Sequence, residues 1–307
     1  MAEKQRQKSA STSANAAPLV TGSLYAGCAI WAYDGWANNF FPAGTPKDAR
    51  LEAYARRLSA VEINATFYAM PAVPVVKKWA EATPESFRFS PKFPKTITHT
   101  AQLVNVGAQT TAFIGTMRVL GARLGPLMLQ LPPAFAPAKL PLLQRYLDEL
   151  PDDLEIAVEV RHPDWFTEEN GRKLDAALAA TNASRVVFDV RPAHNSKAPE
   201  AISAQEKKPD VPLIPDAAQP FVIVRYISSP VLAENEAYFA EWIPRLIKWL
   251  GEGKRVYFYA HCPLEELSPT IARIVHQRVA EATHLPPLPW EEVDKPDSSR
   301  AEQLPLF

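Results

Sequence analysis

The sequence predicts an α/β protein built as a single (β/α)8 barrel of the TIM type, with disordered tails at both ends. Three observations carry this. Short β-branched and aromatic runs alternate with longer helical stretches over residues 24–283, the pattern of parallel strands joined by crossover helices. The strand-like runs number eight, and the ~260 residues between the tails match one such barrel. No repeat at a fixed period points to a solenoid or propeller instead.

The expected strands are 24–30, 60–64, 87–92, 126–131, 154–161, 185–190, 221–227 and 255–261. Helical stretches fall between most of them: 47–58, 75–82, 108–120, 139–150, 168–181, 236–250 and 268–282. The last opens with Ser268 and Pro269, read as an N-cap followed by the favoured first-turn proline. Residues 192–218 break the rhythm. They are polar and proline-rich, with Lys207 and Lys208, and read as a long loop with one helical turn near 200–205. Long loops at that end of a barrel carry function more often than decoration. The domain reading is a tail over 1–21, a barrel over 22–284 and a flexible tail over 285–307. The first tail is polar and lacks an apolar core segment, so it does not read as a secretory signal. A cytoplasmic protein is expected.

Composition removes several classes. Of 307 residues, 33 are Lys or Arg and 34 Asp or Glu, a net charge of −1. A dedicated duplex-DNA coat would need a basic surface. Proline, at 30, runs near twice its usual share, and glycine, at 11, near half. No G-x-G-x-x-G or P-loop pattern occurs, nor any apolar run of ~18 residues. The two cysteines, Cys28 and Cys262, lack zinc spacing and exclude a disulfide scaffold.

Strand side chains alternate between faces. On that rule Glu62 and Asn64 share the inner face of the second strand, and Glu159 and Arg161 that of the fifth. Lys92 lies opposite Phe89. Gln130 is the polar residue among Leu127, Met128, Leu129 and Leu131. Asp189 closes the sixth strand, Arg225 lies on the seventh, and His261 ends the eighth. Seven strands thus place a polar group late, at the mouth where barrel enzymes hold their sites. A structural polar layer is the alternative. Buried charge is costly, and a barrel needing only filler would use Val, Ile and Leu, so the ligand site is favoured.

Candidate catalytic groups are Glu62, Glu159, Asp189 and His261. Lys92, Arg161, Arg191 and Arg225 suit a phosphate or carboxylate, with Asn64, Gln130, His162 and His194 as further substrate contacts. Glu62 or Glu159 is the expected general base. The histidines and carboxylates also raise a divalent metal, which no ligand spacing supports; the cofactor is left unknown. Trp31 and Tyr33, with Trp36, Phe40 and Phe41, follow the first strand. They read equally as a stacking platform and as a plug against the rim.

At these residues the chain resembles the YecE-like family, the domain-of-unknown-function 72 proteins. The likeness runs through Trp31, Tyr33, Trp36 and Phe40; Val61-Glu62-Ile63-Asn64-Ala65-Thr66-Phe67-Tyr68; Gln130-Leu131-Pro132-Pro133; and Val158-Glu159-Val160-Arg161-His162-Pro163. The segment from Asp189 to His194, Lys207-Lys208-Pro209 and His261-Cys262-Pro263 are similar to the YecE subgroup. The resemblance implies a TIM barrel and supplies no activity. Three departures stand out: Ile30 stands where many members have Gly, Tyr226-Ile227-Ser228 replaces a His-Gly of other branches, and His261 replaces an Asn.

The last five residues, Gln303-Leu304-Pro305-Leu306-Phe307, resemble the bacterial sliding-clamp-binding peptide. Leu304, Leu306 and Phe307 would enter an apolar cleft while Gln303 bonds at its rim; folding back onto the barrel is the plainer alternative. Three functions follow. The first is an enzyme on a phosphodiester or nucleotide, brought to DNA by the clamp. The second is a non-catalytic, clamp-tethered adaptor for nucleic acid or protein. The third is a clamp-independent enzyme acting on a sugar phosphate.

Overall fold

The computed structural model describes residues 20–181 and 183–293. Nine parallel strands form its centre: β1 (Ser23–Cys28), β2 (Ala60–Ile63), β3 (Arg88–Pro91), β4 (Leu127–Gln130), β5 (Ile156–Glu159), β6 (Ala183–Arg185), β7 (Val187–Asp189), β8 (Phe221–Ile227) and β9 (Arg255–His261). They do not form the single eight-stranded ladder expected. Six pair in the order β3-β2-β1-β9-β8-β7, and three in the order β4-β5-β6. The expected sixth strand divides at Val186. Its amide still donates to Val158 on β5 at 2.9 Å, but from Val187 onward the chain pairs with β8. At the other border, lone bridges join Phe89 to Leu124 and Lys92 to Met128.

The two sheets share one interior. Ala60, Met128, Ala157, Val186, Phe221, Ile223, Tyr257 and Tyr259 form a single buried cluster drawn from both. The opposite strand faces, such as Val61 and Ile63 or Val222 and Val224, pack under the helices. This alternation is the period-two rule applied to strands buried on both sides. Gly27 is required where β1 meets β2, because a Cβ there would lie 1.8 Å from the Ala60 carbonyl oxygen.

The crossover helices follow their apolar stripes. Glu236–Gly251 buries Phe239, Trp242, Leu246, Trp249 and Leu250, one face at three- and four-residue spacing. Glu168–Ala179 is capped by Thr167, whose hydroxyl accepts from the Asn170 amide, with Glu168 and Glu169 in the first turn; both features suit a helix N-terminus. Ser268 is not the cap expected of it. It lies inside Ser268–Glu281, and its hydroxyl bonds the Glu265 carboxylate at 3.0 Å.

Two expected loops carry structure. The stretch 192–218 takes in most of the helix Arg191–Asn195 and all of Ile202–Lys207. Beyond residue 284 the chain is not simply extended. Pro289–Val293 is helical, Leu288 is buried, and Trp290 packs edge-on to Phe40 at 5.0 Å beneath the Arg273 guanidinium at 4.4 Å. The expected tails otherwise lie outside the described residues, as do Gln303, Leu304, Leu306 and Phe307. No described helix is long and apolar enough to cross a membrane.

Candidate active site

Where β2, β5, β8 and β9 end, their inward side chains meet. Arg225 of β8 is at the centre. Its Nε and one terminal nitrogen donate to Glu62 at 2.8 and 3.0 Å, and its other terminal nitrogen donates to Glu159 at 2.5 Å. Arg225 therefore bonds across from the six-stranded sheet to the three-stranded one. Lys92 reaches Glu62 at 2.8 Å, His261 Nε2 reaches it at 3.1 Å, and Arg161 Nε donates to Glu159 at 2.7 Å. Phe188 lies under both guanidinium groups, 5.8 Å from Arg161 and 5.4 Å from Arg225. Below, Tyr259 donates to Ser90 at 2.7 Å and closes the floor.

Glu62, Glu159 and Arg225 are essentially inaccessible, while Arg161 keeps 13% of its side chain exposed. Burial works to raise both carboxyl groups, but the surrounding cations outweigh it. Arg225 and Lys92, with a hydrogen bond from His261, hold Glu62 well below the usual carboxylate range, and Arg225, Arg161 and Lys92 do the same for Glu159. Both are thus ionised anchors. A carboxylate held so low has little proton affinity, which argues against the general-base role expected of Glu62 or Glu159. Burial, opposed by Glu62 and reinforced by Arg225, lowers His261 to about 3. Its imidazole is neutral; with Nε2–H donating to Glu62, Nδ1 remains an acceptor. Burial and Arg225, opposed by Glu62, bring Lys92 to about 8.

Two carboxylates thus face three cations, Arg225, Arg161 and Lys92, in a region shielded from water. The excess is positive. Arg161 spends only its Nε, and its terminal nitrogens have no partner among the described residues; nor does the amide of Gln130, which sits beside Glu159 in the β4–β5 register. Donors of this kind are chemically able to hydrogen-bond an anionic acceptor.

One residue here was not a sequence candidate for the site. Lys208 follows the short helix Ile202–Lys207 and has no ion-pair partner among the described residues. Burial, then Arg225, Lys92 and Arg161, lower its amine to about 7. Its only signal in the sequence was membership of the Lys207-Lys208-Pro209 run. His99 also approaches: burial and Arg161 lower it to about 4, and its ring packs edge-on to Phe67 at 4.9 Å.

Several expected residues are elsewhere. Asp189 is on the outer face, because Val187 and Asp189 pair with the outward Val224 and Tyr226; Phe188 takes the inward position. Asp189 accepts from Trp242 Nε1 at 2.8 Å and from Arg191 at 2.9 Å through each of two nitrogens. Arg191 also pairs with Glu241 at 3.0 Å, so its charge is spent on carboxylates rather than free for an anion. His162 accepts from the Asp164 amide and caps a turn. His194 Nε2 is buried without a hydrogen-bond partner among the described residues and joins none of these contacts. Asn64 donates to the Ala29 carbonyl at 3.0 Å, which ties the β1 loop in place.

The aromatic loop is chiefly a plug. Trp36, Phe40 and Phe41 are buried with Tyr54, Trp31 packs on Trp79, and Tyr33 bonds Glu266 at 2.9 Å. Burial raises Cys262 to about 11, which leaves its thiol inert at neutral pH. Among the described residues, no three His, Cys, Asp or Glu side chains gather to hold a metal. A cavity of about 360 Å3 opens at the other end of the strands, between Tyr25, Ser59, Arg88, His276 and residues 285–289; it carries none of these converging charges.

The sequence profile of the family described as "Protein of unknown function DUF72" matches residues 25–293. The UPF0759 protein YecE of Escherichia coli K12 is 34% identical over 275 residues, covering 87% of this chain and 98% of that protein. The UPF0759 protein YunF of Bacillus subtilis 168 is 26% identical over 151 residues, 47% of this chain and 52% of its own length. Two solved structures share the fold. A DUF72 family protein of Enterococcus faecalis V583 superposes with a TM-score of 0.65 at 20% identity, over 86% of this chain and 96% of that one. One of Thermotoga maritima MSB8 gives 0.65 at 18%, over 84% and 99%.

Proposed function

We propose that this protein, which belongs to the DUF72 family of unknown function, is an enzyme that binds a small phosphate- or carboxylate-bearing substrate at the C-terminal ends of its strands. The carrying observation is the excess of buried cations over carboxylates, with the Arg161 terminal nitrogens and the Gln130 amide left over. Arg161 and Gln130 bind the anion, while Arg225 and Lys92 supply field from below. Glu62 and Glu159 fix those cations. Lys208, with its amine at about 7, is a group able to move a proton at neutral pH, since the carboxylates and His261 are held too acidic.

In this reading the two sheets act as one TIM-type barrel, interrupted at Val186, and its mouth is the site. Deep burial favours a small metabolite, such as a sugar phosphate, over a nucleic-acid backbone, which needs an open groove of contacts. The clamp-binding-like peptide at 303–307 is a separable tether: it would raise local concentration near a sliding clamp without contributing to the site.

A thermal-shift panel of phosphorylated and carboxylated metabolites tests this. At least one should raise the wild-type melting temperature, and Arg161→Gln should abolish the rise. A panel in which neither form responds would remove the anion site.

A further inference from the structure

The segment between β7 and β8 is pinned down. Gln205 Nε2 donates to the carbonyls of Ala193 at 3.0 Å and Ser196 at 2.9 Å, which holds Ile202–Lys207 against Arg191–Asn195. Ala204 and Val211 bury with Phe188, Val190, Ala193 and Ile227. Phe188 is the ring beneath Arg161 and Arg225. Lys208 falls between Ala204 and Val211, its amide tied to the Ala204 carbonyl at 2.8 Å. The packing therefore holds the chain on either side of Lys208 in one buried cluster with Phe188, the ring beneath Arg161 and Arg225, and no carboxylate among the described residues pairs with the Lys208 amine.

We propose that the Lys208 amine is a covalent nucleophile that forms an imine with a small anionic carbonyl compound held by Arg161. This rests on the anion-site reading and names the substrate class. The other lysine of the cluster is unsuited, because Lys92 is buried and bonded to Glu62 at 2.8 Å. The groups acting on Lys208 are Arg225 of β8, Lys92 after β3, Arg161 after β5 and Glu62 of β2; His261 of β9 and Glu265 beyond it feel its charge in turn. Burial and the three cations hold the amine at about 7. A large part is then free base at neutral pH, against roughly one in a few thousand for an ordinary lysine. A lysine beside other cations is activated in this way.

The step balances without an oxidant or reductant. The amine lone pair forms a C–N bond to the carbonyl carbon, and the C=O π pair moves to oxygen, which takes a proton. The nitrogen then loses a proton. The carbinolamine oxygen gains another and leaves as water, and the nitrogen lone pair completes the C=N bond. Amine, carbonyl and one proton give iminium and water. Solvent at the mouth supplies and takes up these protons, and the negative group of the substrate offsets the iminium charge among the cations.

The test uses the full-length protein with glyoxylate, pyruvate and dihydroxyacetone phosphate in turn. Sodium cyanoborohydride reduces any iminium to a stable secondary amine, read by intact mass and peptide mapping. The expected result, with at least one compound, is a single adduct on Lys208. It should form at least about tenfold faster than on any surface lysine, since a roughly thousandfold larger free-base fraction is partly offset by the weaker nucleophilicity of a less basic amine. Inorganic phosphate should suppress it, and Lys208→Arg, which keeps the charge, should abolish it. Label spread over surface lysines, label on Lys92, or no adduct while calorimetry shows phosphate binding would overturn the imine and leave the anion site standing. Absence of both adduct and phosphate binding would overturn both.

Discussion

Arg225→Met removes the centre of the site. The side chain is 1% exposed and bonds two carboxylates that are 0 and 1% exposed. Glu62 would keep Lys92 and His261, and Glu159 would keep Arg161. Each carboxylate is thus partly stranded. Breaking a buried ion pair from one side costs about 3–5 kcal/mol; with two half-compensated partners the same range applies here. Urea unfolding at pH 7 reads the loss. A second arm checks the cause: Arg225→Met/Glu62→Gln should recover part of it, because one stranded charge is gone, whereas unrelated damage would add. A cost below ~1 kcal/mol, typical of an exposed pair, would refute the picture of a dry, mutually dependent cluster.

Acid should destabilise the wild type through the same groups. The folded pKa values of Glu62 and Glu159 are depressed, so their stabilisation is present above the ordinary carboxylate pKa near 4.5 and fades as pH falls through the folded values; unfolding of Glu159→Gln should vary less with pH between 5 and 3. Sulfate affinity, measured by calorimetry, should be greatest below pH 7 and fall as pH rises through the Lys208 titration, since the anion favours the protonated amine; Lys208→Met should flatten that profile. Trp290→Ala should cost about 1–3 kcal/mol, because the ring is part-buried between Phe40 and Arg273, and should expose residues 285–293 to limited proteolysis. For the tether, micromolar binding of the full-length chain to a bacterial sliding clamp should vanish in Leu306→Ala/Phe307→Ala, as loss of two anchors predicts.

The strand positions and most of the inner site were legible in the sequence because parallel strands leave a strict signature: apolar residues on both faces, interrupted by Glu62, Gln130, Glu159 and Arg225 near their ends. Where the alternation was carried through, as for Glu62 and Glu159, the side chains face the interior. Asp189 shows the opposite case. It closes its strand, yet Phe188 holds the inward position, so nearness to a strand end was no substitute for counting faces. Sequence spacing was also silent on who satisfies whom. Arg191 looked available until Asp189 and Glu241 enclosed it. The break at Val186 depends on hydrogen bonds to two different neighbours, and no residue type announces it. Lys208 depends on a loop fold set by Gln205, Ala204 and Val211, which periodicity does not report. The segment past residue 284 misled because its prolines suggested extension, while Leu288 and Trp290 supplied the apolar anchors that dock it.

A crystal soaked in selenate tests the central claim most directly, because selenium marks a tetrahedral anion by its anomalous signal. The account predicts a peak against the terminal nitrogens of Arg161, within reach of Gln130 and Lys208, with oxygens at the ~2.7–2.9 Å of charge-assisted bonds. The same soak of Arg161→Gln should lose that peak. Selenate found only on surface lysines, with the cation cluster unoccupied at concentrations that fill those surface positions, would contradict it.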